Sequence, residues 1–243
     1  MKDNSFTLDK KMKMSDCLTC PVRRWSIFSE LLDTDLAHLP IQVEDTAVSA
    51  DTCVSKEGDL IQQAFVLRQG SIKLERVTVS GGTQIVQLLR NGDIWGFEGL
   101  DQSCYQHTAT TLENSLVCRI NISQIRTWCD QDSRVQSAIR KRLQIAHREL
   151  ENHLLLVLSA DSVRRVAAFL CFWCRNYPDN RKVSFPFHRH EIADFLSISP
   201  THVSRILADF KRRGLVHESN GRISVSYHEL RNIANGTHEV TSR

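Results

Sequence analysis

Eight cysteines in 243 residues are the most reactive side chains of this chain, and their spacing limits what they could do. Cys17 and Cys20 form a C-x-x-C just ahead of Pro21, which can bring two thiolates to one soft metal or let them exchange as a dithiol. Cys171 and Cys174 repeat the spacing inside an apolar stretch with Val166, Phe169, Leu170 and Trp173, where the role of small core hydrophobes fits them better. Cys118 and Cys129 stand singly. In a reducing cytosol such thiols read as metal ligands or redox groups rather than as a disulfide framework. No paired carboxylates, Ser/His/Asp set or phosphate loop stands out, and a catalytic C-x-x-C would need a βαβ context that is missing, so no enzyme is expected.

A second group of chemically useful side chains, Ser199, Thr201, His202, Ser204 and Arg205, is crowded into one short stretch. Residues 189–208, RHEIADFLSISPTHVSRILA, place apolar groups where two short helices crossing over a tight turn need them. Ile192 and Leu196 share a face, Ile198 sits in the connection, Val203 and Ile206 face inward, and Ala193 keeps the crossing small. Ser199 suits the N-cap and Pro200 the first helical position, so the second helix is predicted over residues 200–213, with Gly214 stopping it. The polar group then points outward from the first turns, where a recognition helix meets base edges in the major groove. Ser197 takes the turn position that usually holds a glycine at positive φ, at a cost of about 1 kcal/mol or less.

The surroundings agree with a DNA partner. From residue 160 onward there are 13 Lys/Arg against 8 Asp/Glu, a net +5, which leaves −2 for the first 159 residues. Residues 215–225 read as a hairpin with an Asn220-Gly221 turn, the wing of a winged helix. Arg189, Lys211 and Arg222 are its candidate phosphate contacts.

The elements that must position these groups follow from periodicity. Residues 1–16 are polar, Lys-rich and without pattern, and are expected to be disordered; no signal peptide is evident, and the longest apolar run, residues 154–158, is too short for a membrane, so a cytoplasmic protein is expected. A short amphipathic helix is predicted over residues 27–39. Between residues 42 and 122 short β-rich runs alternate with glycine turns, which predicts an antiparallel sandwich or barrel. A long helix is predicted over residues 133–159, with Ile139, Leu143, Ala146, Leu150, His153 and Val157 as a coiled-coil seam for a homodimer. That seam holds no Asp or Glu, which predicts a standing dimer. A helix over residues 161–176, capped by Ser159 or Asp161 and ended by residues 177–180, leads through a strand at 183–187 into the two crossing helices. The class is α+β, divided as an N-terminal segment 1–40, a β-roll 41–132, a dimerisation helix 133–159 and a DNA-binding domain 160–243.

In this order, and over nearly the whole chain, the parts resemble the CRP/FNR family of bacterial transcription regulators. The resemblance is carried by Gly58-Asp59, residues 70–73 and Gly92-Asp93 in the roll, and by residues 190–194 (His-Glu-Ile-Ala-Asp) and 203–207 (Val-Ser-Arg-Ile-Leu) at the C-terminal end. The cyclic-nucleotide branch carries an Arg-Ser pair where residues 103–108 here read Ser-Cys-Tyr-Gln-His-Thr, so no cyclic AMP is expected. Residues 92–98 (Gly-Asp-Ile-Trp-Gly-Phe-Glu) and 112–118 (Leu-Glu-Asn-Ser-Leu-Val-Cys) resemble the FNR branch. That branch implies a 4Fe–4S cluster sensing oxygen, with Cys17, Cys20 and Cys118 at three of its four ligand positions. The fourth, a cysteine in the family, falls on Ser26; Cys129 is a candidate substitute, or the fourth iron takes Ser26, water or a small ligand. Three readings of the thiols stay open: an iron–sulfur sensor, a thiol–disulfide or zinc switch, or no sensory role.

The resemblance thus implies a homodimeric regulator that binds palindromic promoter DNA, contacts RNA polymerase, and reports oxygen, redox state or nitric oxide. The alternative is a regulator of the same fold sensing haem-bound gas or a small effector in the roll, with incidental cysteines. The family usually has a Glu where this chain has Thr201, which predicts a half-site altered at one base.

Overall fold

A computed structural model describes residues 13–14, 17–29, 31–38, 43–175 and 181–237. The expectations for residues 1–12 and for the turn at 177–180 lie outside the described residues. The chain forms two compact units, Met1–Arg148 and Glu149–Arg243.

The first unit is built on strands whose side chains alternate between a buried and an outer face. They are β1 (Lys13–Met14), β2 (Glu44–Val48), β3 (Cys53–Ser55), β4 (Gln63–Gln69), β5 (Ile72–Val77), β6 (Thr83–Leu89), β7 (Ile94–Trp95), β8 (Thr108–Thr111) and β9 (Ser115–Asn121). The pairings are antiparallel, in one sheet of order β1-β2-β9-β4-β7 and another of order β3-β8-β5-β6. Between them Phe65, Leu67, Ile72, Leu89, Val117 and Ile120 form the core. Strand β1 corrects the expectation of disorder, since Lys13 and Met14 pair with Asp45 and Glu44.

Two helices close the roll: α2 (Ile122–Gln131), capped by the Asn121 side chain, and α3 (Ser133–Ser159), which spans the residues expected of the long helix. Val135, Ala138 and Ile139 of α3 are buried in this unit. The Gly92-Asp93 turn holds the helix in place. Gly92 takes a φ of 93° that other residues avoid, its N–H donates to Leu67 O at 2.7 Å, and Asp93 O accepts from Leu67 N at 2.9 Å. Arg142 of α3 then donates to Gly92 O at 3.0 Å and to Asp93 Oδ1 at 3.1 Å.

The helix expected over residues 27–39 is shorter than predicted. A 3-10 turn at Arg23–Trp25 comes first, and α1 covers only Asp33–His38. Ser26 interrupts the run, because its Oγ accepts from Phe28 N at 3.1 Å and turns the chain so that Ile27, Phe28 and Leu31 enter the core from a loop.

The second unit begins with the C-terminal part of α3 and continues through α4 (Ser162–Cys174), β10 (Val183–Ser184), α5 (Arg189–Leu196), α6 (Pro200–Arg212), β11 (Val216–Ser219), β12 (Arg222–Val225) and α7 (Tyr227–Asn235). Of the two caps considered for α4, Asp161 is the one used: its carboxylate accepts from Arg164 N at 2.9 Å. Cys171 and Cys174 are buried on that helix, and burial pushes the Cys171 thiol up to about 12. Strand β10 is shorter than expected; Phe185, whose N–H donates to Gly221 O at 2.8 Å, and Phe187 follow it and join Phe169 and Trp173 in an aromatic cluster. Helix α7, absent from the sequence reading, packs on α4 and buries Leu230 and Ile233. Ser197 ends α5 at φ 53° and ψ 47°, the left-handed conformation expected of that turn position.

Candidate functional site

Helix α6 starts where the sequence predicts and for the predicted reason: Ser199 Oγ accepts from His202 N at 3.2 Å, and Pro200 follows. Val203, Ile206, Leu207 and Phe210 are buried beneath it. Ser199, Thr201, His202, Ser204 and Arg205 are all exposed on the opposite side. A long guanidinium and several short hydrogen-bonding groups on one open helical face can read base edges. Arg222, also exposed, follows the Asn220-Gly221 turn, whose two residues have φ of 49° and 67° as the hairpin predicts.

Arg189 and Lys211 have a different position from the one expected. Both hold Glu218 of β11: Arg189 Nη2 donates to Oε2 at 2.5 Å and Lys211 Nζ lies 2.7 Å from the same oxygen. They tie the wing to α5 and α6, and the single carboxylate offsets one of their two positive charges. Sequence reasoning passed over Glu218 because a single Glu on a short strand has no periodicity to mark it. A second missed group is Glu191, buried in the first turn of α5, where it accepts from His188 N at 3.0 Å; its position three residues after the cap was the available signal.

The thiols assemble at the other end of the chain. Strand β9 lies between β2 and β4, with Cys118 paired to Asp45 on one side and Val66 on the other. Cys17, Cys20, Ser26, Phe28, Val43, Val66, Cys118 and Ile120 line one narrow cleft with about 20 Å³ of free volume. The structure thus brings together the three predicted cysteines and Ser26, though not Cys129. That residue lies on α2, half-buried against the core, where burial and then Asp130 push its thiol up, and it does not line the cleft. Ser26 is engaged in holding the loop: its Oγ donates to Arg23 O at 2.9 Å as well as accepting from Phe28.

Two charged groups not predicted from the sequence stand beside the thiols. Cys118 Sγ donates to Asp45 Oδ1 at 3.2 Å, and Arg68 pairs with the other oxygen of Asp45. Between Leu67 and Gln69 strand β4 advances two residues while β9 advances one, so Arg68 is the extra residue of a β-bulge. Burial works against the Arg68 charge, but Asp45, then Cys20, Cys118 and Cys17, hold its pKa above the ordinary arginine value. Among the described residues no three His, Cys, Asp or Glu side chains converge as ligands of a single ion.

The six residues expected as a seam on α3 differ in exposure. Ile139 is 3% exposed, buried within its own unit, and His153 stacks on Phe195 of α5 at 4.0 Å, so neither can face a second copy. Ala146 and Val157 are half-buried. Two of the expected residues, Leu143 (45%) and Leu150 (44%), are exposed, as are Leu154 (58%), Leu155 (62%) and Leu158 (73%), which were not in the expected set. At 100° per residue Leu143, Leu150, Leu154 and Leu158 form one stripe, with His147 inside it and Glu151 on its edge.

The sequence matches two family models, one described as a cyclic nucleotide-binding domain over residues 46–132 and the other as a Crp-like helix-turn-helix domain over residues 164–233. The chain belongs to the CRP/FNR family. It is thus a DNA-binding transcription regulator. Relatives include the fumarate and nitrate reduction regulatory protein of Escherichia coli, 23% identical over 92% of each chain. The electron transport regulator A of Shewanella oneidensis is 26% identical over 74% of each. FixK2 from Bradyrhizobium japonicum has the same fold, with a TM-score of 0.73 at 20% identity over 79% of this chain and 98% of that one. No helix among the described residues of this CRP/FNR protein is long and apolar enough to cross a membrane.

In this regulator the Glu218 cluster sets a pH dependence. Burial pushes the carboxyl up, but Lys211 and Arg189 pull it down further, so its folded pKa lies below the ordinary carboxylate value. The stabilisation is therefore present above about pH 4.3 and is lost as pH falls through the depressed value. Glu218→Gln is expected to cost about 0.5–1 kcal/mol at pH 7, discounted for solvent screening, with the gap to wild type closing in acid. Urea unfolding at several pH values measures it.

Proposed function

We propose that this protein is a homodimeric, sequence-specific regulator of transcription that reads a palindromic site in double-stranded DNA and responds to oxygen or redox state through Cys17, Cys20 and Cys118. The observation that carries the reading is the convergence of an N-terminal C-x-x-C and a cysteine of β9 on one cleft. Relatives named for electron transport, anaerobic regulation and fumarate and nitrate reduction support a signal of this kind. An iron–sulfur cluster bound by these thiols would supply reactivity toward oxygen. Cys17, Cys20 and Cys118 would hold it. The cytoplasm, where promoter DNA and RNA polymerase are found, is the compartment this reading requires.

Protein purified without oxygen is expected to be brown, to contain iron and sulfide, and to bind its operator at least ten-fold more tightly than after exposure to air. Colourless, iron-free protein with unchanged affinity in air would overturn the sensing part of the proposal. Cys118→Ser is expected to remove the response.

Arg205 is placed to make a bidentate contact with guanine O6 and N7. Arg205→Ala is expected to cost about 1–3 kcal/mol on the cognate site and to relax one base pair per half-site, as read by selection from a random library.

The exposed stripe on α3 supports pairing with a second copy. Each leucine buried there contributes about 1.5–3 kcal/mol. Glu151 from the two copies adds repulsion at the edge. In sedimentation, Leu154→Asp is expected to give a monomer unable to bind DNA, and Glu151→Ala a tighter dimer than wild type.

A further inference from the structure

Two polar groups inside the roll are left unanswered by the fold. Thr46 of β2 is 2% exposed, and its buried Oγ1 has no hydrogen-bond partner among the described residues. Arg119 of β9 is half-buried, with its Nε–H withdrawn from water and likewise without a partner. Glu44 is the cross-strand partner of Arg119, yet among the described residues the two form no ion pair. A buried polar group without a partner costs free energy, so a pair of them at one place calls for a ligand.

Strand register brings the pair together. Thr46 is opposite Val117, and Arg119 follows two residues further along β9, so both side chains leave the sheet on the same face. With Val48, Val54, Phe65 and Val117 they line one cavity of about 20 Å³. Val54 belongs to the opposite sheet, which places the cavity between the two layers of the roll. Sites for cofactors and drug-sized ligands run to several hundred Å³, so neither a nucleotide nor a haem fits here; there is room for one group the size of a water or a halide ion.

The lining discriminates between those two. Arg119 Nε–H can only donate, and the Thr46 hydroxyl is free to donate as well. A water accepting from both would find no side-chain acceptor for its own two hydrogens against Val48, Val54, Phe65 and Val117. An anion accepts from both, needs no acceptor in return, and is attracted by the guanidinium charge.

We propose that Thr46 and Arg119 bind a single small inorganic anion of halide size, chloride being the probe of choice. Thr46 Oγ1–H and Arg119 Nε–H donate to it, and the four apolar residues shield it from water. Asp45 and Cys118 pair between Thr46 and Arg119 along the ladder, with their side chains on the other face, so the ion ties β2 to β9 directly behind the thiol cleft. The site stands whatever the thiols bind.

The test is thermal unfolding of the full chain in a chloride titration, with ionic strength held constant by gluconate and with sulfate as a second comparison. Wild type is expected to gain several degrees, saturably, with chloride or bromide and to gain nothing with sulfate, which is too large for the cavity. Thr46→Ser keeps the hydroxyl and is expected to keep the gain, whereas Thr46→Val and Arg119→Gln are expected to lose it. In gluconate Thr46→Val is expected to melt above wild type, because a methyl replaces an unpartnered hydroxyl of the same shape, and misfolding cannot mimic that rise. A wild type whose melting temperature ignores chloride would overturn the assignment. A gain that persists in both Thr46→Val and Arg119→Gln would do the same, as would an equal gain with sulfate, which would put the anion on the surface.

Discussion

The register of β9 between β2 and β4 is the constraint on which the thiol cleft depends. Cys118 faces the N-terminal loop because it pairs with Asp45 and Val66, and side chains of a strand alternate between faces. A slip of one residue would turn Cys118 away and present Val117 or Arg119 in its place. The same register brings Asp45 within reach of the Cys118 thiol, and the bulge that follows in β4 turns Arg68 toward both. Backbone hydrogen bonds of the sheet therefore hold in place a group of side chains drawn from three strands and a loop.

The DNA-facing unit uses a similar division of labour. Buried apolar groups of α6 fix which way Arg205 and Thr201 point, while the Glu218 ion pairs keep the wing against the two crossing helices. Arg189 and Lys211, expected as phosphate contacts, also serve this internal purpose. A serine at a positive φ in the turn shows that the tertiary fit of α5 and α6 outweighs the local cost, of about 1 kcal/mol or less, of a left-handed residue other than glycine.

Helix α3 shows how an element can be legible in the sequence while the exposure of its faces is not. A spacing of 4, 3, 4, 3, 4 can be drawn through several sets of apolar residues when a helix is as rich in leucine as residues 150–158 are. What distinguished them was packing: Ile139 completes the core of the roll and His153 stacks on Phe195, while Leu143, Leu150, Leu154 and Leu158 form an exposed stripe. Glu151 lies at the edge of that stripe.

Local signals in the sequence determined the elements and their order. Caps at Ser199 and Asp161, the Asn220-Gly221 turn, glycine-punctuated alternation and the run of residues 133–159 each depend on interactions within a few residues, which a sequence displays directly. It also determined that Cys17, Cys20 and Cys118 deserved to be considered together. Only the tertiary structure decided their surroundings: that Ser26 is committed to a turn, that Cys129 lies off the cleft, and that Asp45 and Arg68 flank Cys118. Those relations join residues distant along the chain, through strand register, a bulge and burial, and the free energy that selects them comes from packing the whole roll rather than from any local preference.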